Sequence, residues 1–229
     1  MADLEVRRVD FGYFVRPGSE TGAGAPRVEP CLGYVVRHPT GVLLLDTGMG
    51  SAPDADAHYR PRRVDLPTAL RGVGVRRDDV SQVTNCHLHF DHCGGNPLLT
   101  GRPVFVQATE LDDASTTPDY TMPELIEAAS YETLDGPAEV LPGIHLLPTP
   151  GHTPGHQSVV VRRRDGAVIL AGQSHGTATE FSAAVLAQRA HQDRHDADLP
   201  PVPPPWVETV LSLDPRAVYF AHDHAVWRP

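Results

Sequence analysis

An α/β or α+β sandwich is the fold class this sequence predicts, and three observations predict it. Apolar runs of strand length recur through both halves of the chain. Helical stretches lie between and after them, and the runs are bounded by turn residues. The 229 residues suffice for one domain, 1–229, with a sizeable core.

In order, Leu4 to Val15 reads as a strand, followed by a Gly/Pro-rich loop through Pro30. Cys31 to Arg37 and Val42 to Asp46 are β-rich runs joined by His38-Pro-Thr-Gly41, a hairpin signal. Leu66 to Arg71 is a short helix, and Val80 to Cys86 a strand that runs into a histidine cluster. Val104 to Gln107 is a further strand, with a helix starting near Thr109. Residues 144–148, 156–162 and 167–171 are strands. Ala183 to His195 has helical composition, Trp206 to Leu213 is a second helix, and Ala217 to Ala221 closes the set as a strand. Leu199 to Pro205 is a stiff proline-rich loop leading into a helix.

Composition removes several function classes. With 40% hydrophobic and 21% charged residues the chain is a globular protein, not a disordered one. No window approaches the roughly 18 apolar residues of a membrane helix, and the N-terminus shows no secretory pattern, so a cytoplasmic location is expected. A net charge of -10 disfavours nucleic acid and anionic lipid as partners and leaves a small-molecule substrate; the sequence does not specify an oligomeric state. All 19 basic residues are arginine, which excludes Schiff-base and P-loop lysine chemistry. Missing lysine and scarce isoleucine suit a GC-rich bacterial genome. Cys31, Cys86 and Cys93 match no zinc ribbon; small buried filler is their expected role, although Cys86 and Cys93 flank the histidines.

Histidine carries the argument. His87-Leu-His89-Phe-Asp91-His92 places four metal-capable side chains in six residues after a strand. Strand alternation sends His87 and His89 to one face, while Asp91 and His92 fall in the turn at Cys93-Gly-Gly95. A second cluster, His152-Thr-Pro-Gly-His156, lies on a rigid Pro/Gly loop, and a third, His222-Asp-His224, ends the last strand. His38, His58, His145, His191 and His195 read as surface residues, and His224 as rim.

This pattern resembles the metallo-β-lactamase superfamily, over Cys31 to Arg228, and most specifically its N-acyl-homoserine lactonase branch. The matching segments are residues 87–96, 151–158 and 222–227, with Leu44-Leu-Asp46-Thr-Gly48 before the site. The resemblance implies an αββα sandwich of two mixed β-sheets flanked by helices, with a binuclear zinc site in its groove. It implies that His87, His89 and His152 hold one ion and Asp91, His92 and His222 the other, with Asp46 supporting them from behind and His156 either supporting them or closing its loop. Metal-bound hydroxide would then attack a lactone or ester carbonyl. The same donors also accept manganese and iron.

The chain departs from the branch in one loop. Gln173 stands where the resemblance implies a bridging aspartate, and Gly176 where it implies a tyrosine aimed at the substrate. A neutral amide has one good acceptor and no charge, so dinuclear binding should weaken. Gln173 binding one ion, a single-ion site, and His175 acting as a replacement ligand are the three outcomes left open. The expected activity is a lactonase-like metallo-hydrolase. Alternatives are a one-metal thioesterase of the glyoxalase II type, a non-hydrolytic biosynthetic enzyme on the same fold, and a non-catalytic metal-binding protein. Thr177 to Asp198 reads equally as a helical lid or a solvated helix.

Overall fold

A computed structural model describes residues 4–117, 120–193 and 198–229. Its strands are β1 (Glu5–Arg16), β2 (Arg27–His38), β3 (Gly41–Leu45), β4 (Arg62–Arg63), β5 (Val80–Thr84), β6 (Pro103–Gln107), β7 (Ser130–Leu134), β8 (Ala138–Leu141), β9 (Ile144–Pro148), β10 (Gln157–Arg163), β11 (Gly166–Leu170) and β12 (Pro215–Tyr219). The helices are α1 (Pro53–Tyr59), α2 (Leu66–Gly72), α3 (Phe90–Cys93), α4 (Ala108–Thr116), α5 (Pro123–Glu127), α6 (Ala178–Asp193) and α7 (Pro205–Ser212).

One sheet runs β4-β1-β2-β3-β5-β6-β7 and the other β12-β11-β10-β9-β8. Both are mixed: β3, β5, β6 and β7 are parallel neighbours, as are β11 and β12, and the remaining pairs are antiparallel. The alternation of side chains along each strand explains the layers. Tyr34, Val36, Leu43, Leu45, Ile144, Leu146, Val159, Val161, Val168 and Leu170 all belong to one buried cluster, to which both sheets contribute. The intervening residues Val35, Val42 and Leu44 face outward and pack with Leu66, Ala69 and Leu70 of α2. On the other side Val160, Ile169 and Val218 pack with Phe181 and Val185 of α6 and Trp206, Val207 and Val210 of α7. Strands with both faces covered read as continuous apolar runs. The result is the expected αββα arrangement, and no helix among the described residues is long and apolar enough to cross a membrane.

Several elements differ from expectation. β2 begins at Arg27, so the early loop ends sooner; Pro30 is tolerated opposite Tyr13, just past the register shift after Asp10. β5 stops at Thr84 instead of Cys86, because the Cys86 N–H leaves the ladder and donates to the Asp46 carboxylate, 2.9 Å away. His87 and His89 therefore lie on a loop, not a strand, and Asp91 and His92 lie on the single turn of α3. α6 starts at Ala178 and buries Phe181 and Val185 on the outer layer, so it is packed structure and not a lid; the expected end of that helix and His195 lie outside the described residues.

Candidate metal centre

The ends of β3, β5, β11 and β12 and the β9–β10 loop converge on one edge of the sandwich, and each brings a polar group. Three groups of three donors result among the described residues: His87, His89 and His152; Asp91, His92 and His222; and Cys86, His87 and His92, which joins the other two; the ligand atoms of each lie within 4.8 Å of one another. In the first, His152 Nε2 is 3.2 Å from His89 Nδ1, and His87 Nε2 is buried without a hydrogen-bond partner. In the second, Asp91 Oδ2 is 3.5 Å from His92 Nε2 and 3.4 Å from His222 Nε2, and the two Nε2 atoms are 3.2 Å apart. Gln173 joins this second group, its Oε1 lying 3.1 Å from each Nε2.

The hydrogen bonds behind the ligands test whether a metal fits. His92 Nδ1 donates to Asp46 Oδ2 at 2.9 Å and His222 Nδ1 donates to the Pro30 carbonyl at 2.8 Å. In the neutral imidazoles both Nε2 atoms then carry lone pairs. Those lone pairs, Asp91 Oδ2 and Gln173 Oε1 are four acceptors facing one another, an arrangement that a metal ion among them, or a proton on one imidazole, satisfies. Without a metal, a proton takes that place on His92. Burial opposes charge on His92, yet Cys86, Asp91 and Asp46 around it pull its pKa well above the ordinary value. Burial also opposes charge on Asp91, but the imidazoles of His92, His222 and His89 hold its pKa at about 2. In the first group burial dominates, assisted by neighbouring imidazoles: it lowers His152 to about 3, His89 to about 4 and His87 well below normal. These three are neutral near pH 7, the form that ligates.

Residues 26–222 match the Metallo-beta-lactamase superfamily. The chain belongs to that superfamily. It is similar to an N-acyl homoserine lactonase from Bacillus sp., with 30% identity over 204 residues, 83% of this chain and 80% of that protein. An N-acyl homoserine lactonase from Bacillus cereus is 28% identical over the same shares. Among solved structures, a quorum-quenching N-acyl homoserine lactone lactonase superposes with a TM-score of 0.77 at 28% identity, covering 98% of this chain and 94% of that one. An N-acyl homoserine lactone hydrolase with the product N-hexanoyl-L-homoserine bound at its catalytic metal centre gives 0.77 at 26% identity, covering 98% and 95%.

Within this superfamily fold, the remaining expected site residues divide. Asp46 is buried at the end of β3 with φ +59, a left-handed conformation that Asp tolerates better than most residues. His156 is fully buried; its Nδ1 faces the Thr149 hydroxyl and carbonyl and its Nε2 accepts the Gln173 N–H at 3.1 Å. It ties the loop carrying His152 to the loop carrying Gln173. His175 is not brought to any of the donor groups. Its ring packs edge-on against Phe181 and Trp206 beneath the outer helices, with Nδ1 buried and unpartnered.

Sequence reading missed Glu110. This buried carboxylate accepts the Leu88 N–H at 2.7 Å and the Thr153 hydroxyl at 2.6 Å, so it clamps the His87–His89 loop to the His152 loop. Gly155 permits the clamp, since a Cβ there would stand 2.2 Å from the Glu110 nitrogen. In the sequence Glu110 is only an acidic residue in the first turn of a helix, a common and uninformative feature. A cavity of about 370 Å³ opens beside the ligands, with Phe14, Tyr59 and Phe90 as an aromatic wall and Arg16, Glu20 and Tyr120 also lining it.

Proposed function

We propose that this chain is a metal-dependent hydrolase of the lactonase type, which opens a lactone or cleaves an ester at a centre of two zinc ions. The observation that carries the reading is the convergence of His92, His222, Asp91 and Gln173 acceptors beside the three neutral histidines. His87, His89 and His152 would hold one ion, and Asp91, His92, His222 and the Gln173 amide oxygen the other. Zinc suits an N/O donor set left open on one side, and when bound it supplies an acidified water and a Lewis acid for the carbonyl. The chain's own contribution is positional. Asp46 and the Pro30 carbonyl fix the tautomers of His92 and His222, while Glu110 and His156 hold the ligand loops in register. The cavity wall formed by Phe14, Tyr59 and Phe90 offers an apolar face to the part of the substrate beyond the carbonyl. The similar lactonases named above support homoserine lactones as the first substrates to try.

Metal content of protein purified without added metal, combined with proton release from N-acyl homoserine lactones, tests this. Two equivalents per chain and lactone opening abolished by chelation are expected. Gln173 favours a second reading, because a neutral amide leaves one negative charge fewer between two dications. One equivalent per chain with turnover of thioesters instead of lactones would replace the first reading with a one-metal thioesterase.

A further inference from the structure

The buried thiol of Cys86 touches both halves of the centre. Its Sγ lies 3.2 Å from His87 Nδ1, 3.1 Å from Asp46 Oδ2 and 3.3 Å from His92 Nδ1. It is wholly inaccessible, and Gly172 leaves room for it, because a Cβ there would lie 2.4 Å from the Cys86 Cβ. Among the described residues the thiol is the only hydrogen-bonding partner of His87 Nδ1, while His87 Nε2 is buried and unpartnered, facing the other donors of its group.

We propose that Cys86 is a positioning residue of the metal centre, orienting His87 in one ligand group while sharing the Asp46 carboxylate with His92 in the other. The direction of the protons decides it. A thiol has one proton to give, and the Asp46 carboxylate is a far better acceptor than an imidazole nitrogen. With S–H donated to Asp46 Oδ2, sulfur keeps its lone pairs for the Nδ1–H of His87. That tautomer leaves the lone pair of His87 on Nε2, the atom facing the centre. Were the S–H turned to His87 Nδ1 instead, the ring proton would occupy Nε2 and block ligation. Asp46 thus fixes His92 directly and His87 through sulfur. The role is the usual one of a carboxylate or carbonyl behind a ligating histidine, relayed here through a thiol.

This inference rests on the metal-centre part of the proposed function and is independent of the substrate. Its test is cobalt(II) loading of the wild type, Cys86→Ser and Cys86→Ala, with affinity from chelator competition and the d–d spectrum as readouts. Cys86→Ala is expected to bind the first ion about 10–100-fold more weakly and to shift the d–d bands. Cys86→Ser, which keeps one donor and its lone pairs, should restore affinity to within about threefold of the wild type. No thiolate-to-cobalt charge-transfer band is expected. If Cys86→Ala fails to fold, Asp46→Asn serves: it withdraws the acceptor shared by His92 and Cys86, so both ions should bind more weakly, and weakening of the second ion alone would overturn the relay to His87. Unchanged affinity and spectrum in Cys86→Ala, equal loss in the alanine and serine variants, or a charge-transfer band marking the thiolate as a ligand would each overturn the role. Wild-type protein that takes up no cobalt would overturn the metal-centre reading as well.

Discussion

The two halves of the centre are built on different principles. The His87, His89 and His152 group contains no anion, and its geometry comes from loops pinned together by Glu110 and relieved of side-chain bulk at Gly155. The second group contains Asp91, accepts Gln173 as a neighbour, and is aimed from behind by Asp46 and the Pro30 carbonyl. One half is held mainly by backbone clamping, the other by charge and tautomer control. Asp46 contacts both His92 and the Cys86 thiol beside His87, so substitutions should separate the halves only away from it: a change of charge among the donors should act on the second half, and a loosened loop on the first.

The sharpest separation is Asp91→Asn. It removes the only carboxylate among the six donors while keeping the shape. Loss of the second ion, retention of the first, and a fall in hydrolysis of more than about 100-fold are expected, because a direct ligand outweighs the 10–100-fold typical of its supports. Elemental analysis of the variant checks this, and loss of both ions together would erase the distinction between the halves. Glu110→Ala is the converse. It leaves the Leu88 N–H and the Thr153 hydroxyl without their acceptor, and about 10–100-fold weaker binding of the first ion is expected, with the second little changed. Chelator competition measures it. Gln173→Asp should act in the opposite sense, restoring a negative charge beside His92 and His222. About tenfold tighter binding of the second ion, or about 1.4 kcal/mol, is expected by isothermal titration, with a smaller change in turnover.

The candidate donors were legible in the sequence because metal chemistry restricts donors to few residue types, and His87, His89, Asp91, His92, His152 and His222, which the fold brings together, stand in dense clusters. The sandwich was legible because its central strands are covered on both faces and read as unbroken apolar runs, as at Val42 to Leu45 and Ala167 to Leu170. The edge strands β7 and β8 were not: they are half exposed and mixed in composition, so they give neither a run nor a clean alternation. α1 and α5 are too short for a helical period, although each begins with Pro and an acidic residue. The supports were the least legible. Glu110 acts on loops 22 and 43 residues away, a relation set entirely by tertiary packing. His175 sits two residues beyond Gln173 in the loop after β11, but the chain turns it toward Phe181 and Trp206.

The smallest expected effect concerns the protein stripped of metal. An unfolded histidine titrates near pH 6.5, and one whose folded pKa lies lower binds its proton more readily in the unfolded chain between the two values. Stability then falls as pH drops through that interval. His89, lowered to about 4, and His152, lowered to about 3, act this way, mainly through burial. Burial lowers His87, His156, His175 and His222 as well. His92 works in the opposite sense: raised by its anionic surroundings despite burial, it contributes fully below the unfolded pKa and loses that contribution only as pH rises through its folded value. Asp91, held at about 2, keeps its contribution until pH falls below the ordinary carboxylate range. Six lowered histidines set the slope over this interval while the contribution of His92 stays constant, so the melting temperature of the metal-free protein should decline steadily from pH 6.5 toward pH 4. Because protons and metal compete for the same Nε2 and Nδ1 atoms, the extra stability conferred by metal should shrink over the same range. Calorimetry of both forms at several pH values reads the two slopes. A flat profile for the metal-free protein would mean that these histidines titrate in the folded chain as they do in the unfolded one, and that burial does not hold the first half of the centre neutral.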